Sequence, residues 1–220
     1  GTLTYNNTTT TIVAGGNTTY GIGGVVGCAY SSTVSNCSNG VDLIMQKYAV
    51  KSVIEDGTDS NGIYCGTGGV IGLTNGDTVT TKVRSTVSNC TNVGNITVHA
   101  HSSGIQPTLG GVIGYCYYSN VSNVVNGEQD ADDKGCLHIV AKVSVFGMGG
   151  IAGAMSASDV DTATNYGDIK FDGGTAYPYA GGAFGTLFNS TGTVKNVDNY
   201  GTISVPNVAF SNGTPYLGGV

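Results

Sequence analysis

The sequence predicts an all-β chain, a parallel β-solenoid of about five coils with three short strands in each. Three observations lead there. A glycine-rich motif returns along the whole chain, a segment ending in Asn follows each full copy, and alternating apolar and polar residues come after the Asn. Self-similarity at periods of roughly 20–50 residues is the signature of stacked repeats, none of which can bury its apolar face alone.

The glycine motif opens each repeat. It reads Gly23-Gly24-Val25-Val26-Gly27, then Gly68-Gly69-Val70-Ile71-Gly72, Gly110-Gly111-Val112-Ile113-Gly114, Gly149-Gly150-Ile151-Ala152-Gly153 and Gly181-Gly182-Ala183-Phe184-Gly185. It begins once more at Gly218-Gly219-Val220, and successive copies start 45, 42, 39, 32 and 37 residues apart. Paired glycines let the backbone turn sharply and approach the neighbouring coil, and the closing Gly permits the next corner. A nucleotide-binding reading requires a helix opening directly after the glycines, and no helical period follows any copy.

The second element runs Val34-Ser35-Asn36-Cys37-Ser38-Asn39 in the first repeat and Val87-Ser88-Asn89-Cys90-Thr91-Asn92 in the second. Later copies keep one residue fixed, giving the column Asn39, Asn92, Asn126, Asn165 and Asn199. Asn tolerates left-handed backbone and its amide bonds neighbouring backbone groups, so a stacked Asn column predicts a turn ladder.

The third element alternates, as in Gly94-Asn95-Ile96-Thr97-Val98, Gly167-Asp168-Ile169-Lys170-Phe171 and Gly201-Thr202-Ile203-Ser204-Val205. Leu43 and Met45 take the apolar places after Asn39, and Leu137 and Ile139 take them beyond an insertion after Asn126. Alternation of this kind marks a strand with one buried face. The chirality of parallel crossovers predicts a right-handed solenoid.

Composition bounds the function. The 220 residues are 40% hydrophobic and 10% charged, with 37 Gly and a net charge of −6. Periodically placed apolar residues argue for a folded chain. Eight Lys and Arg cannot build the basic surface that a phosphate backbone needs, which argues against a nucleic-acid partner. No apolar run approaches the ~18 residues of a membrane span, so no insertion of this segment is expected. One repeat family fills residues 1–220, read as a single domain. Gly1-Thr2-Leu3-Thr4-Tyr5 matches Gly201-Thr202-Ile203-Ser204-Val205, and the last glycine motif is partial. Both ends therefore read as cuts through a repeat, and the chain as a fragment of a longer protein.

The five glycine motifs, each followed by an Asn-bearing strand and then an alternating strand, resemble the GLUG-type repeat of exported bacterial proteins. That repeat occurs in large surface proteins, in adhesin-like chains and beside the peptidase domain of some IgA-cleaving enzymes. The resemblance implies a β-solenoid scaffold at the cell surface or outside the cell, and it implies no catalytic residue. The chain departs from the pattern in having Val or Ile where Leu is frequent, and in insertions near 46–64, 74–86 and 127–135.

Candidate chemistry lies on the loops and outer faces. Tyr115, Tyr117, Tyr118, Tyr177 and Tyr179 are candidate contacts for a host glycan or protein, because Tyr offers large contact area at low entropy cost. Glu128, Asp130, Asp132 and Asp133 gather carboxylates in one insertion, as a weak calcium site would, though a solvated acidic tip is the plainer reading. His99 and His101 alternate on one strand. If Leu137 stacks over Ile96, His138 lies diagonal to His99, a possible zinc or copper set, against which stands the reading of exposed surface histidines.

Six cysteines, Cys28, Cys37, Cys65, Cys90, Cys116 and Cys136, leave a Cys37–Cys90 disulfide open, but Val124, Ala163 and Val197 fill the same place elsewhere and favour buried thiols. Nine Asn-x-Ser/Thr sequons, among them Asn36, Asn89 and Asn95, follow largely from the abundance of these residues. A polysaccharide-active β-helix enzyme needs clustered acids, often with Arg or Lys, on one face. Here the acids sit in insertions or singly, as at Asp168 and Asp198, and there is no Trp to floor a sugar subsite. The expectation is a non-catalytic stalk, adhesin shaft or fibre without cofactor. Its expected partners are further copies of itself, end to end or side by side, or a host glycan or protein.

Overall fold

A computed structural model describes residues 2–6, 20–48, 65–78, 80–100, 108–131, 133–141, 147–172, 179–188, 191–206 and 216–220. Among these the chain contains strands and no helix, and every strand pairing is parallel. The strands form four sheets running along the stack. A parallel β-solenoid is thus the architecture, as the repeats predict.

Each glycine motif is shared between two of the sheets. The entry sheet ends in the first Gly of the motif and contains Tyr20–Gly23, Cys65–Gly68, Thr108–Gly110, Gly147–Gly149, Tyr179–Gly181 and Tyr216–Gly218. The exit sheet begins at the second apolar residue and contains Val26–Tyr30, Ile71–Asn75, Ile113–Tyr117, Ala152–Ser156 and Phe184–Phe188. The sequence predicts three strands per coil, whereas the structure has four ladders. The paired glycines fold the motif in its middle, and strands of three to five residues are too short for alternation to reveal the break.

The Asn sheet follows, with Ser85–Asn92, Ser119–Asn126, Asp159–Asn165 and Val194–Asn199, and in the first repeat the two pieces Thr33–Ser35 and Ser38–Asn39. The alternating sheet closes each coil with Thr2–Asn6, Asp42–Tyr48, Ile96–Ala100, Leu137–Ala141, Ile169–Asp172 and Ile203–Ser204. The register is the one the sequence columns predict: Leu43, Ile96, Leu137, Ile169 and Ile203 stand in line.

Stacking generates the core. Between the entry and alternating sheets lie Leu43, Met45, Ile96, Val98, Leu109, Leu137, Ile139, Met148, Ile169 and Phe171. A second cluster, including Ile71, Val87, Ile113, Val121 and Val160, fills the space between the exit and Asn sheets. The motif's first apolar position shows what burial depends on. Val70, Val112, Ile151 and Ala183, with a coil on either side, are fully buried, while Val25 and Val220 are 46% and 56% exposed. At about 25 cal/mol per Å² of apolar surface, the hydrophobic gain is thus made between coils and not within one.

Candidate functional site

The most highly organised site is a column of side chains in the wall of the stack. Asn39 donates from Nδ2 to Oδ1 of Asn92 at 2.8 Å, and Asn92 to Asn126, Asn126 to Asn165 and Asn165 to Asn199 repeat the bond at the same distance. The second Nδ2 hydrogen of each Asn closes its own corner, on the carbonyls of Val41, Gly94, Gly135, Gly167 and Gly201 at 2.8–2.9 Å. Asn is suited to this place because its amide is both donor and acceptor, so identical residues bond head to tail without limit.

The middle Gly of every full motif lies directly against this column. A Cβ on Gly24, Gly69, Gly111, Gly150 or Gly182 would come within 2.5 Å of the amide carbon of Asn39, Asn92, Asn126, Asn165 or Asn199 respectively. It would also fall within 2.4 Å of the carbonyl oxygen of the equivalent Gly in the next coil. Two signatures separate in sequence are therefore one structural device. The closing Gly has another reason: a Cβ on Gly72, Gly114, Gly153 or Gly185 would strike the entry-strand backbone within 2.3 Å.

The left-handed corners belong to a different column from the one predicted. Asn36, Asn89, Asn123, Thr162 and Asn196 have φ between 51° and 67°, bulging the Asn sheet three residues before each ladder Asn. The ladder Asn contributes through its amide, and its neighbour supplies the tolerated αL backbone.

The insertion after Asn126 leaves the ladder intact. Gly127 and Gly135, at φ 83° and 69°, bring its two ends together, and Gly135 offers Asn126 the carbonyl that a residue two places on supplies elsewhere. Glu128, Asp130 and Asp133 are exposed on this loop, and Asp132 lies outside the described residues. With Gln129, Asp168 and the stacked rings of Tyr166 and Tyr200, 5.2 Å apart, Glu128 and Asp130 border an open groove of about 390 Å³. Among the described residues no three His, Cys, Asp or Glu are placed to hold a metal ion.

His138 stands over Thr97, diagonal to His99, as the expected register requires. Its Nε2 lies 3.3 Å from Asp172 Oδ2, which Lys170 also engages at 2.7 Å, so the imidazole joins a charged surface row. His101 lies outside the described residues.

The candidate tyrosines scatter. Tyr115 is only 2% exposed, packed with Leu73 and Ala154, and cannot act as a surface contact. At Tyr115 and Cys116, the two residues after Gly114, both faces of the strand are covered, which alternation does not foresee. Tyr118, at φ 45°, carries the Arg84 guanidinium over its ring at 4.5 Å. Arg84 ties the corner by donating to the carbonyls of Ser119 and Ala157, each at 3.2 Å, and by pairing with Asp159 at 3.1 Å. The backbone N–H of Thr193, 2.7 Å from Asp159, is the main cause holding that carboxyl below its usual range. Tyr179 stacks on Tyr216 at 5.1 Å, and Tyr177 lies outside the described residues.

Tyr117 lines a groove of about 310 Å³ with Tyr30, Ser31, Asn75, Gly76, Asp77 and Thr78. The sequence reading passed over Tyr30 and Asn75. Their signal was position, since Tyr30, Asn75 and Tyr117 each stand three residues after a closing Gly and align in the exit sheet.

Cys28, Cys37, Cys90, Cys116 and Cys136 form no disulfide, and the side chain of Cys65 lies outside those described. Cys37 and Cys90 face the carbonyls of Ser35 and Ser88 at 3.4 and 3.3 Å, the same bond in adjacent coils. Cys116 is fully buried near Ser158, and burial pushes its thiol up to about 11. Alkylation needs the thiolate. Iodoacetamide at pH 8 is therefore expected to modify exposed Cys28 and to spare Cys116 until denaturant is added. Peptide mass mapping reads the difference, and equal labelling of both in the native chain would contradict the packing.

No family model, no curated protein and no solved structure matches this chain in the three comparisons made.

Proposed function

We propose that this chain is a non-catalytic shaft segment of an extracellular or cell-surface β-solenoid, serving a bacterial protein as stalk, adhesin shaft or fibre. One observation carries the reading: the Asn ladder runs through five successive repeats with every rung-to-rung hydrogen bond at 2.8 Å, and a glycine packs on every rung. The repeated residues are engaged in holding coil to coil, and the insertions leave that column undisturbed. A stack with an invariant wall and variable loops suits a spacer, because coils can be added without altering the contacts already made. The resemblance of the glycine motif to GLUG-type repeats supports placement outside the cell.

Antibodies raised against the chain are expected to label intact source cells or material they release. Labelling confined to permeabilised cells would contradict the surface assignment.

A further inference from the structure

We propose that the groove lined by Tyr30, Asn75 and Tyr117 binds a neutral, linear β-1,4-linked glycan lying along the stack. This goes beyond the shaft reading and does not depend on it. The three residues occupy the same place in three successive exit strands, Val26–Tyr30, Ile71–Asn75 and Ile113–Tyr117. They alternate aromatic, amide, aromatic. Strands in such a stack are about 4.8 Å apart, which puts the two Tyr levels about 10 Å apart along the axis. In an extended β-1,4-linked chain each sugar is flipped relative to the last, so every second ring presents the same face. The disaccharide repeat of such a chain matches the two-coil step, and alternate sugars would meet a tyrosine face.

The middle position supplies the polar contact. Asn75 Oδ1 is shut off from water without a hydrogen-bond partner, alone in this among buried side-chain oxygens and nitrogens of the described residues. An orphaned acceptor carries a desolvation cost, and a donor delivered by a ligand removes it. A sugar hydroxyl that reached this oxygen from the groove would be such a donor. Tyr30 is half exposed, leaving its ring available. Asp77, bound to the Thr80 and Thr81 amides at 2.9 and 2.6 Å, holds the loop at the groove's edge and places a negative charge there. That charge, with the chain's net −6, disfavours acidic polysaccharides and selects a neutral chain.

The test is titration calorimetry of the full chain with cellohexaose and with the hexamer of β-1,4-linked N-acetylglucosamine. At least one is expected to bind. Tyr30→Ala, at a half-exposed position that leaves the core intact, is expected to weaken binding about tenfold or more, as aromatic anchors do. Tyr200→Ala, on another surface, is expected to bind as the parent does. Tyr117→Ala, whose folding is checked by circular dichroism, is expected to weaken binding likewise. Absence of binding to both oligosaccharides, or equal binding by Tyr30→Ala and Tyr200→Ala, would overturn the proposal and leave the shaft reading as it stands.

Discussion

Replacing Gly111 with Ala is expected to destabilise the stack by about 3 kcal/mol or more, at the upper end of what overpacking costs. The added methyl would sit 2.1 Å from the Gly150 carbonyl oxygen and 2.2 Å from the Asn126 amide carbon. Neither is the free end of a flexible chain. One is backbone of the next coil, and the other is held by bonds to Asn92, Gly135 and Asn165. Relief requires the coils to separate, which breaks ladder bonds on both sides of Gly111. Gly40 provides the control, because a methyl there meets nothing nearer than Val93 Cγ2 at 3.8 Å. Gly40→Ala is expected to change stability by no more than about 0.5 kcal/mol, the usual range for surface substitutions. Urea midpoints of the two variants decide the matter, and similar midpoints would mean that the glycine column is not held by contact.

Asn126→Leu is expected to be of comparable severity, about 3–5 kcal/mol, from three orphaned partners at roughly 1–3 kcal/mol each without full additivity. Asn92 loses the acceptor of one Nδ2 hydrogen, while Asn165 Oδ1 and the Gly135 carbonyl lose their donor. The same bonds anchor the acidic loop, so its Gly135 end should become accessible to proteases together with the loss of stability. Asn126→Asp separates the donor role from the acceptor role. Its carboxylate still accepts from Asn92 but faces the oxygens of Asn165 and Gly135, and burial with those acceptors raises its pKa in the folded state. A group whose folded pKa is raised stabilises most below its unfolded pKa, and that contribution is lost as pH rises through the folded value. The deficit of Asn126→Asp relative to the parent is therefore expected to grow from pH 4 towards pH 7 in thermal melts. A deficit independent of pH would show that this position is not in the ladder.

Much of the stack was readable because each column repeats one residue type at one place. Asn39 to Asn199 and Leu43 to Ile203 align by inspection, and the parallel register reproduces both alignments. What escaped was contact between columns. Nothing in the spacing says that Gly111 rests on Asn126, fifteen residues on and in another sheet, because that depends on how the coil closes. The fourth ladder escaped because the fold at the paired glycines leaves strands too short for a period of two. Tyr115, expected among loop contacts, lies instead inside the exit strand, where it and Cys116 are buried on opposite faces beyond Gly114. The groove at Tyr30 and Asn75 was legible in principle from counting three places beyond each closing Gly. Only the structure shows that these side chains share a cavity.

The most direct test of the shaft account is electron microscopy of the native material from which the chain comes. The account predicts an elongated rod or fibre whose axis follows the stack, with an axial repeat near 4.8 Å from the strand spacing. A compact particle, with the coils packed broadside against a globular catalytic domain, would contradict it and move the search for function to that neighbour.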